Sequence, residues 1–200
     1  MPPRPPGRPR EVDTTRVARA AVDLFAERGY EAVSMGDVAT AAGISRRSLF
    51  NHFPTKADLL WSGHEFYVDR LRHHLAQPHG RSADLAAVLS SAFARAFEDL
   101  GEDGLALAQA RLRVVATHPD TAAAGYVVIA ASRAAVLDFL RTRVPDELTC
   151  RCVAGGVAGA VYEAALWWAA GDAPDPGHAV RIAVAGLSLR GEEFTQPPVA

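Results

Sequence analysis

Residues 34–53 read SMGDVATAAGISRRSLFNHF, and the order of residue types in that stretch decides the fold. Ser34 stands three residues before Asp37, and just beyond the stretch Thr55 stands three before Asp58. A hydroxyl N-cap followed three positions later by an acidic side chain satisfies backbone donors that a helix start leaves open, so each pair predicts a helix N-terminus. Between them Ala41 and Ala42 are small, Gly43 accepts a positive φ, Ile44 is an aliphatic residue to bury and Ser45 is a fresh N-cap. The expectation is a tight turn between two short crossed helices. The first should bury Val38, Ala39 and Ala42; the second should bury Leu49, Phe53 and part of Phe50 before Pro54 ends it.

Upstream, Val17, Ala20, Ala21, Leu24 and Phe25 fall at the i, i+3, i+4, i+7, i+8 spacing of one helical face, with Asp13 or Thr14 able to cap its start. Gly29 followed by Tyr30 predicts a left-handed stop. Residues 1–10, MPPRPPGRPR, hold five prolines and three arginines without an apolar anchor and read as a mobile basic arm. Its Gly7-Arg8-Pro9-Arg10 segment suits a narrow minor groove, and equally suits a solubilising tail.

Downstream of Gly80, Leu85, Val88, Leu89, Phe93, Phe97 and Leu100 mark another helical stripe, with breaks expected at 101–104, Pro119, Pro145 and 171–177. Residues 126–131 are the only strand-like run, and their alanine-rich neighbours favour helix. No sustained period-two alternation and no repeat occurs. The fold class is therefore all-α: a basic arm over 1–12, a helix-turn-helix unit over 13–62, a larger helical unit over 63–193 and a tail over 194–200.

Composition narrows the function. Hydrophobic residues make up 49% and charged residues 22%, which fits a folded globular chain. The net charge of −2 conceals an asymmetry: residues 1–62 hold nine Arg/Lys against seven Asp/Glu, and residues 63–200 hold twelve against sixteen. The basic end is the motif-bearing end. Cys150 and Cys152 lack further metal ligands nearby, and no signal sequence opens the chain, so a reducing cytoplasm is expected. Residues 153–170 are apolar, but Glu163 lies inside them and the glycines and alanines suit close packing in a core. His64-Glu65-Phe66-Tyr67-Val68 has valine where a zinc-protease motif needs its second histidine, and His73, His74 and His79 read as a solvated surface. No nucleophile elbow or phosphate loop is present. Catalysis, a metal and a cofactor are not expected.

The second short helix opens with Ser45, Arg46, Arg47 and Ser48 and continues to Asn51 and His52. Arginine contacts guanine O6 and N7 with two parallel bonds, asparagine does the same for adenine, and serine serves bases or phosphates. The N-terminal turn of such a helix meets base edges when it lies in the major groove. A solvated arginine face is the alternative, and with it a helical protein-binding adaptor that keeps the two helices as scaffold.

The stretch LFAERGYEAVSMGDVATAAGISRRSLFNHFPTKADLL resembles the DNA-binding domain of TetR-family regulators over about residues 13–62. The resemblance implies a three-helix head, an elongated fourth helix, a ligand-binding body, a homodimer on a palindromic operator, and repression relieved by a small-molecule effector. It places Ser34 and Met35 among phosphate contacts, Ser45, Arg46, Arg47 and Ser48 among base or phosphate contacts, and His52 and Lys56 on the DNA backbone. Phe50 stands where the family has tyrosine, and Met35 lacks a hydroxyl. The segment RRSLFNHFPTKADLLWSG is similar to the mycofactocin-system regulators of that family, which implies an acyl-coenzyme A thioester as effector. In the body, Trp61, His64, Phe66, Tyr67, Phe93, Phe97, Arg111, His118, Tyr126, Arg133, Tyr162 and Trp167 are candidate ligand contacts, each with core packing as the alternative. Residues 154–160 and the stripe Ala179, Ile182, Ala183, Gly186, Leu187 and Leu189 suit a four-helix dimer interface, or internal packing.

Overall fold

A computed structural model describes residues 12–78, 84–118 and 121–187. The basic arm, Pro119, His79, Leu189 and the C-terminal tail lie outside the described residues. Ten helices and no strand occur among the described residues, which fall into two compact units divided between Ser62 and Gly63.

The first unit holds α1 (Thr14–Arg28), α2 (Met35–Ala42), α3 (Arg46–His52) and α4 (Lys56–Trp61). Asp13 is the cap of α1, its carboxylate accepting from Arg16 N at 3.0 Å. The buried face of α1 is Val17, Ala18, Ala21, Val22, Leu24 and Phe25; Ala20 is only half-buried. Gly29 ends the helix at φ 85°, ψ 144°, so the expected left-handed helical stop is instead a positive-φ extended residue, a conformation nearly confined to glycine. Tyr30 then turns back to meet Phe25 edge-on at 5.0 Å.

The second unit holds α5 (His64–Leu75), α6 (Leu85–Glu98), α7 (Gly101–Thr117), α8 (Ala122–Arg141), α9 (Glu147–Ala170) and α10 (Pro176–Gly186). The 24-residue α9 packs against α7, α8 and α10, while α6 lies against α5 and α10. Residues 126–131 are helical, as their neighbours require. Gly177 allows the start of α10 to approach α6: a Cβ there would lie 3.3 Å from that of Ala94. Both α8 and α9 are long and apolar enough to cross a membrane, but each contributes a buried face to this unit.

Two breaks are shorter than the sequence suggests. The turn before α7 ends at Leu100, so 101–104 already form its first helical turn, and 171–175 separate α9 from α10 while Gly177 is helical. A third difference is larger. The elongated fourth helix implied by the family resemblance is interrupted: α4 has six residues, and Gly63 at φ 80°, ψ 8° breaks the ladder before α5 begins. Only glycine takes that left-handed conformation at little cost.

The α8–α9 corner carries an exposed charge clamp. Arg141 Nε and Nη2 donate to the two Glu147 oxygens at 3.0 and 2.7 Å, and Arg151 Nε donates to Oε1 at 2.7 Å. These bonds hold the Glu147 carboxyl down from 4.5 to about 2. A depressed folded value means the stabilisation is complete above 4.5 and is lost as pH falls towards 2. Glu147→Gln should therefore melt a few degrees at most below the wild type at pH 6, with the gap narrowing steadily below pH 4.5 in paired thermal scans.

Candidate nucleic-acid interface

Both capping boxes form. Ser34 N and Oγ donate to Asp37 Oδ2 at 2.8 and 2.6 Å while Asp37 N donates back to Ser34 Oγ at 3.2 Å. Thr55 and Asp58 repeat the arrangement at the start of α4, with Thr55 N to Asp58 Oδ2 at 2.7 Å and Asp58 N to Thr55 Oγ1 at 3.3 Å. The Ser34 hydroxyl and backbone bonds lower the Asp37 carboxyl below its usual range, with Arg28 adding to the effect. The turn between α2 and α3 has Gly43 at φ 65°, ψ 35°, its N–H donating to the Thr40 carbonyl at 3.1 Å, and Ser45 Oγ accepting from Ser48 N at 3.0 Å.

The interior of this turn is as the sequence requires: Val38 and Leu49 are fully buried, and Ala39, Ala42 and Phe53 nearly so. Leu49 is the single buried residue of α3. Every other side chain of α3 is therefore available on its outer faces. Phe50 departs from expectation: at 45% exposure it stands on the surface rather than partly in the core. A four-residue offset from Arg46 puts its ring on the arginine side of the helix.

Ser45, Arg46, Arg47, Asn51 and His52 are exposed, and Ser48 is half-buried. Neither arginine makes a hydrogen bond or ion pair with another described residue. They are not equivalent. A Cβ built on Gly36 would lie 3.6 Å from Arg46 Nε, so the Arg46 side chain leans on the first turn of α2, a glycine contact that Arg47 does not make among the described residues. Gly36 is not legible in the sequence as part of the surface, because its role depends on where a distant side chain folds back.

Three other positions are more constrained than sequence indicates. The Ser34 hydroxyl proton is directed at Asp37, and half-buried Met35 offers only its backbone to an acceptor. Lys56 Nζ donates to the Tyr30 carbonyl at 2.7 Å and lies 4.4 Å from the Tyr30 ring centroid, binding α4 to the end of α1. An ammonium has three donors, so two remain. Arg16, which sequence does not single out, donates from Nη2 to the Ala42 carbonyl at 3.0 Å and closes the C-terminus of α2.

In the second unit the candidate ligand residues separate by burial. Phe93 is fully buried and Phe97 nearly so; the Phe97 ring meets Tyr67 at 4.8 Å and Trp168 at 6.1 Å. Trp168 escapes a sequence reading because adjacent tryptophans look alike there. It is 6% exposed, while Trp167 points outward at 42%. Tyr126 is 67% exposed and Phe66 50%, so neither joins the internal ring cluster. His118 ends α7, with Nδ1 3.0 Å from the Val114 carbonyl. Arg133 lies beside Gly155 where α8 packs on α9. His64 is half-buried at the start of α5, and half-buried Tyr162 has its hydroxyl pushed up by burial and by Glu163. Trp61 is a buried residue of α4, in the first unit. Tyr67 and Arg111 are half-buried side chains whose Tyr67 Oη and Arg111 Nε reach neither solvent nor a hydrogen-bond partner among the described residues.

Residues 18–61 match the model of the bacterial regulatory proteins of the tetR family. A Mycobacterium tuberculosis protein named for transcriptional regulation of mycofactocin biosynthesis is 29% identical over 143 residues, 72% of this chain and 71% of that protein. The HTH-type transcriptional activator FasR of Mycolicibacterium smegmatis is 27% identical over 167 residues, 83% of this chain and 76% of the relative. Among solved structures, the Thermus thermophilus TetR-family repressor FadR in complex with lauroyl-CoA superposes with a TM-score of 0.60 at 21% identity, covering 94% of this chain and 98% of that one. A TetR-family regulator from Syntrophomonas wolfei reaches 0.65 at 13% identity, covering 86% and 91%. At such identities the structural likeness speaks for the fold.

Proposed function

We propose that the chain is a DNA-binding transcriptional regulator of the tetR family of bacterial regulatory proteins, and that it acts as a homodimer, represses from a palindromic operator and answers to a small-molecule effector. The observation that carries the DNA-reading site is the exposure of Arg46 and Arg47 on the first turn of α3, unpaired, while Leu49 and the Ser45 cap fix the helix beneath them. A rigid helix presenting two planar, five-donor forks is suited to guanine edges in a major groove. Ser48 and Asn51 extend the surface along the helix. Lys56, His52 and the α2 N-terminus at Ser34 and Met35 supply phosphate-side donors.

Apolar side chains standing outside the core support the dimer. On α9, Val153 and Trp167 are 38% and 42% exposed, and on α10, Ile182 is 50% exposed, with Leu187 just beyond its end at 45%. The α10 stripe expected from sequence thus divides: Ala179, with Val180 and Val184, faces the unit's own core, whereas Ile182 and Leu187 face outward. A Cβ on Gly156 would lie 4.0 Å from Leu187 Cδ2, so α9 and α10 meet at that outward side chain. Pairing these outward side chains across a two-fold axis buries them and sets two copies of α3 in inverted orientation. The effector site is proposed among the rings of the second unit, with an acyl-coenzyme A thioester as the class that the mycofactocin resemblance favours. Effector binding would act by selecting a head spacing that no longer fits successive major grooves.

Selection of bound duplexes from a random pool by the full-length protein tests the reading. The expected product is a consensus of two inverted half-sites centred about one helical turn apart or a multiple of it. No enrichment would refute DNA reading, and a lone half-site would refute the dimer.

A further inference from the structure

Buried polar groups in native proteins are almost always hydrogen-bonded, because leaving one dry and unpaired is costly. Several side-chain atoms among the described residues of the second unit are buried without a hydrogen bond, Arg70 Nε among them, and two of these, on Tyr67 and Arg111, bear on the aromatic cluster. Tyr67 Oη on α5 is shut off from solvent with no partner, while its ring packs on Phe97 of α6, which in turn meets Trp168 of α9. Arg111 Nε on α7 is likewise dry and unpartnered. Two residues further along α7, Arg113 Nε donates to the carbonyl of Ala169, the neighbour of Trp168, at 2.7 Å. Glu65, two residues before Tyr67 on α5, acts on the Arg111 guanidinium through its charge, so the two orphan donors lie on neighbouring stretches of α5 and α7.

Arg111 has no carboxylate within ion-pair distance among the described residues. Burial lowers the Arg111 guanidinium to about 10, and Glu65 opposes that shift through its charge without touching it. The side chain therefore remains cationic at neutral pH in an apolar setting. Both groups are donors, and a guanidinium offers no acceptor at all. What they lack is an acceptor, and a planar fork beside a hydroxyl matches an anionic one best. The apolar rings suit the remainder of such a molecule.

We propose that the effector is a small carboxylic acid whose carboxylate is received by Arg111 and Tyr67 and whose apolar body lies against Phe97 and Trp168. The assignment rests on the effector-responsive reading above and puts a free carboxylic acid in place of the acyl-coenzyme A thioester named there. Octanoate and 3-phenylpropanoate serve as probes, their primary amides as neutral controls and lauroyl-coenzyme A as the thioester arm, all on the full-length protein. Either acid should raise the wild-type melting temperature by several degrees at millimolar concentration, and the amides should not. Arg111→Met and Tyr67→Phe should melt at or above the wild type without ligand, since each removes an unpaired buried donor. Arg111→Met should weaken acid binding at least tenfold, with Arg111→Lys intermediate because it keeps the charge and loses the fork.

Equal shifts from acid and amide, no shift from either acid, or full acid binding by Arg111→Met would overturn the proposal. So would a steep loss of unliganded stability in Arg111→Met and Arg111→Lys together, which would give the side chain a structural role. Operator release by lauroyl-coenzyme A alone, unaffected by Arg111→Met, would remove the carboxylate assignment and leave the effector reading standing. Failure of the DNA selection is read separately and touches that broader reading only.

Discussion

The double variant Arg46→Ala/Arg47→Ala is expected to lose between about 30-fold and 20,000-fold in affinity for the selected operator while keeping its fold. Each good bond pair to a base is worth roughly 1 to 3 kcal/mol of discrimination, and each 1.4 kcal/mol is about tenfold, which sets the range. Thermal stability should change by less than about 0.5 kcal/mol, because both side chains are exposed and neither is hydrogen-bonded or ion-paired to another described residue. Titrations on operator and on unrelated duplex, at two salt concentrations, separate base reading from phosphate binding. Removing a base-reading side chain lowers affinity for the operator alone, whereas removing a phosphate-binding one weakens both duplexes and reduces the salt slope by about one. The single variants should differ as well. Arg46 leans on Gly36 and is partly pre-positioned, so its removal should cost more than that of Arg47. Unchanged operator affinity in the double variant would favour the alternative of a protein-binding adaptor.

The first unit is legible in the sequence because its signals are local. A capping box spans four residues, and a glycine turn with a following cap spans three; each is satisfied by neighbours in sequence. The interior positions follow from those starts, since 3.6-residue periodicity fixes which residues turn inward. What the sequence withholds depends on distant partners. Lys56 looks like a phosphate donor until Tyr30, 26 residues away, is seen to accept one of its bonds. Phe50 looks half-buried until α3 proves to bury only Leu49. The break at Gly63 is hidden for another reason: Ser62 and Gly63 are compatible with a continuous helix, and glycine's tolerance of either hand leaves the outcome to packing. In the second unit the candidate residues stand out by chemistry without a register, and only the ring contacts distinguish inward Trp168 from outward Trp167. The unpartnered state of Tyr67 and Arg111 cannot be read from a sequence at all, since it is defined by what fails to lie near them.

Leu49→Ala should abolish operator binding by a different route, through loss of the head itself. Leu49 is wholly buried and is the only side chain by which α3 enters the core. Truncating a buried leucine to alanine costs about 2 to 5 kcal/mol, the larger values where the site cannot collapse. At roughly 0.05 to 0.15 kcal/mol per residue, a unit ending at Ser62 has a total stability of the same order. The substitution therefore removes most of what holds the first unit together, without touching the core of the second. Amide exchange in α1 to α4 should accelerate to near the unfolded limit while α6 and α9 keep their protection, and operator and unrelated duplex should both be bound weakly. Leu49→Met, which preserves volume, should cost less than about 1.5 kcal/mol and restore binding. Retained exchange protection in α2 and α3 of Leu49→Ala would mean that the capping boxes and the Arg16 bond to Ala42 hold the two helices without this side chain. The recognition surface would then be fixed by its helix ends rather than by its core.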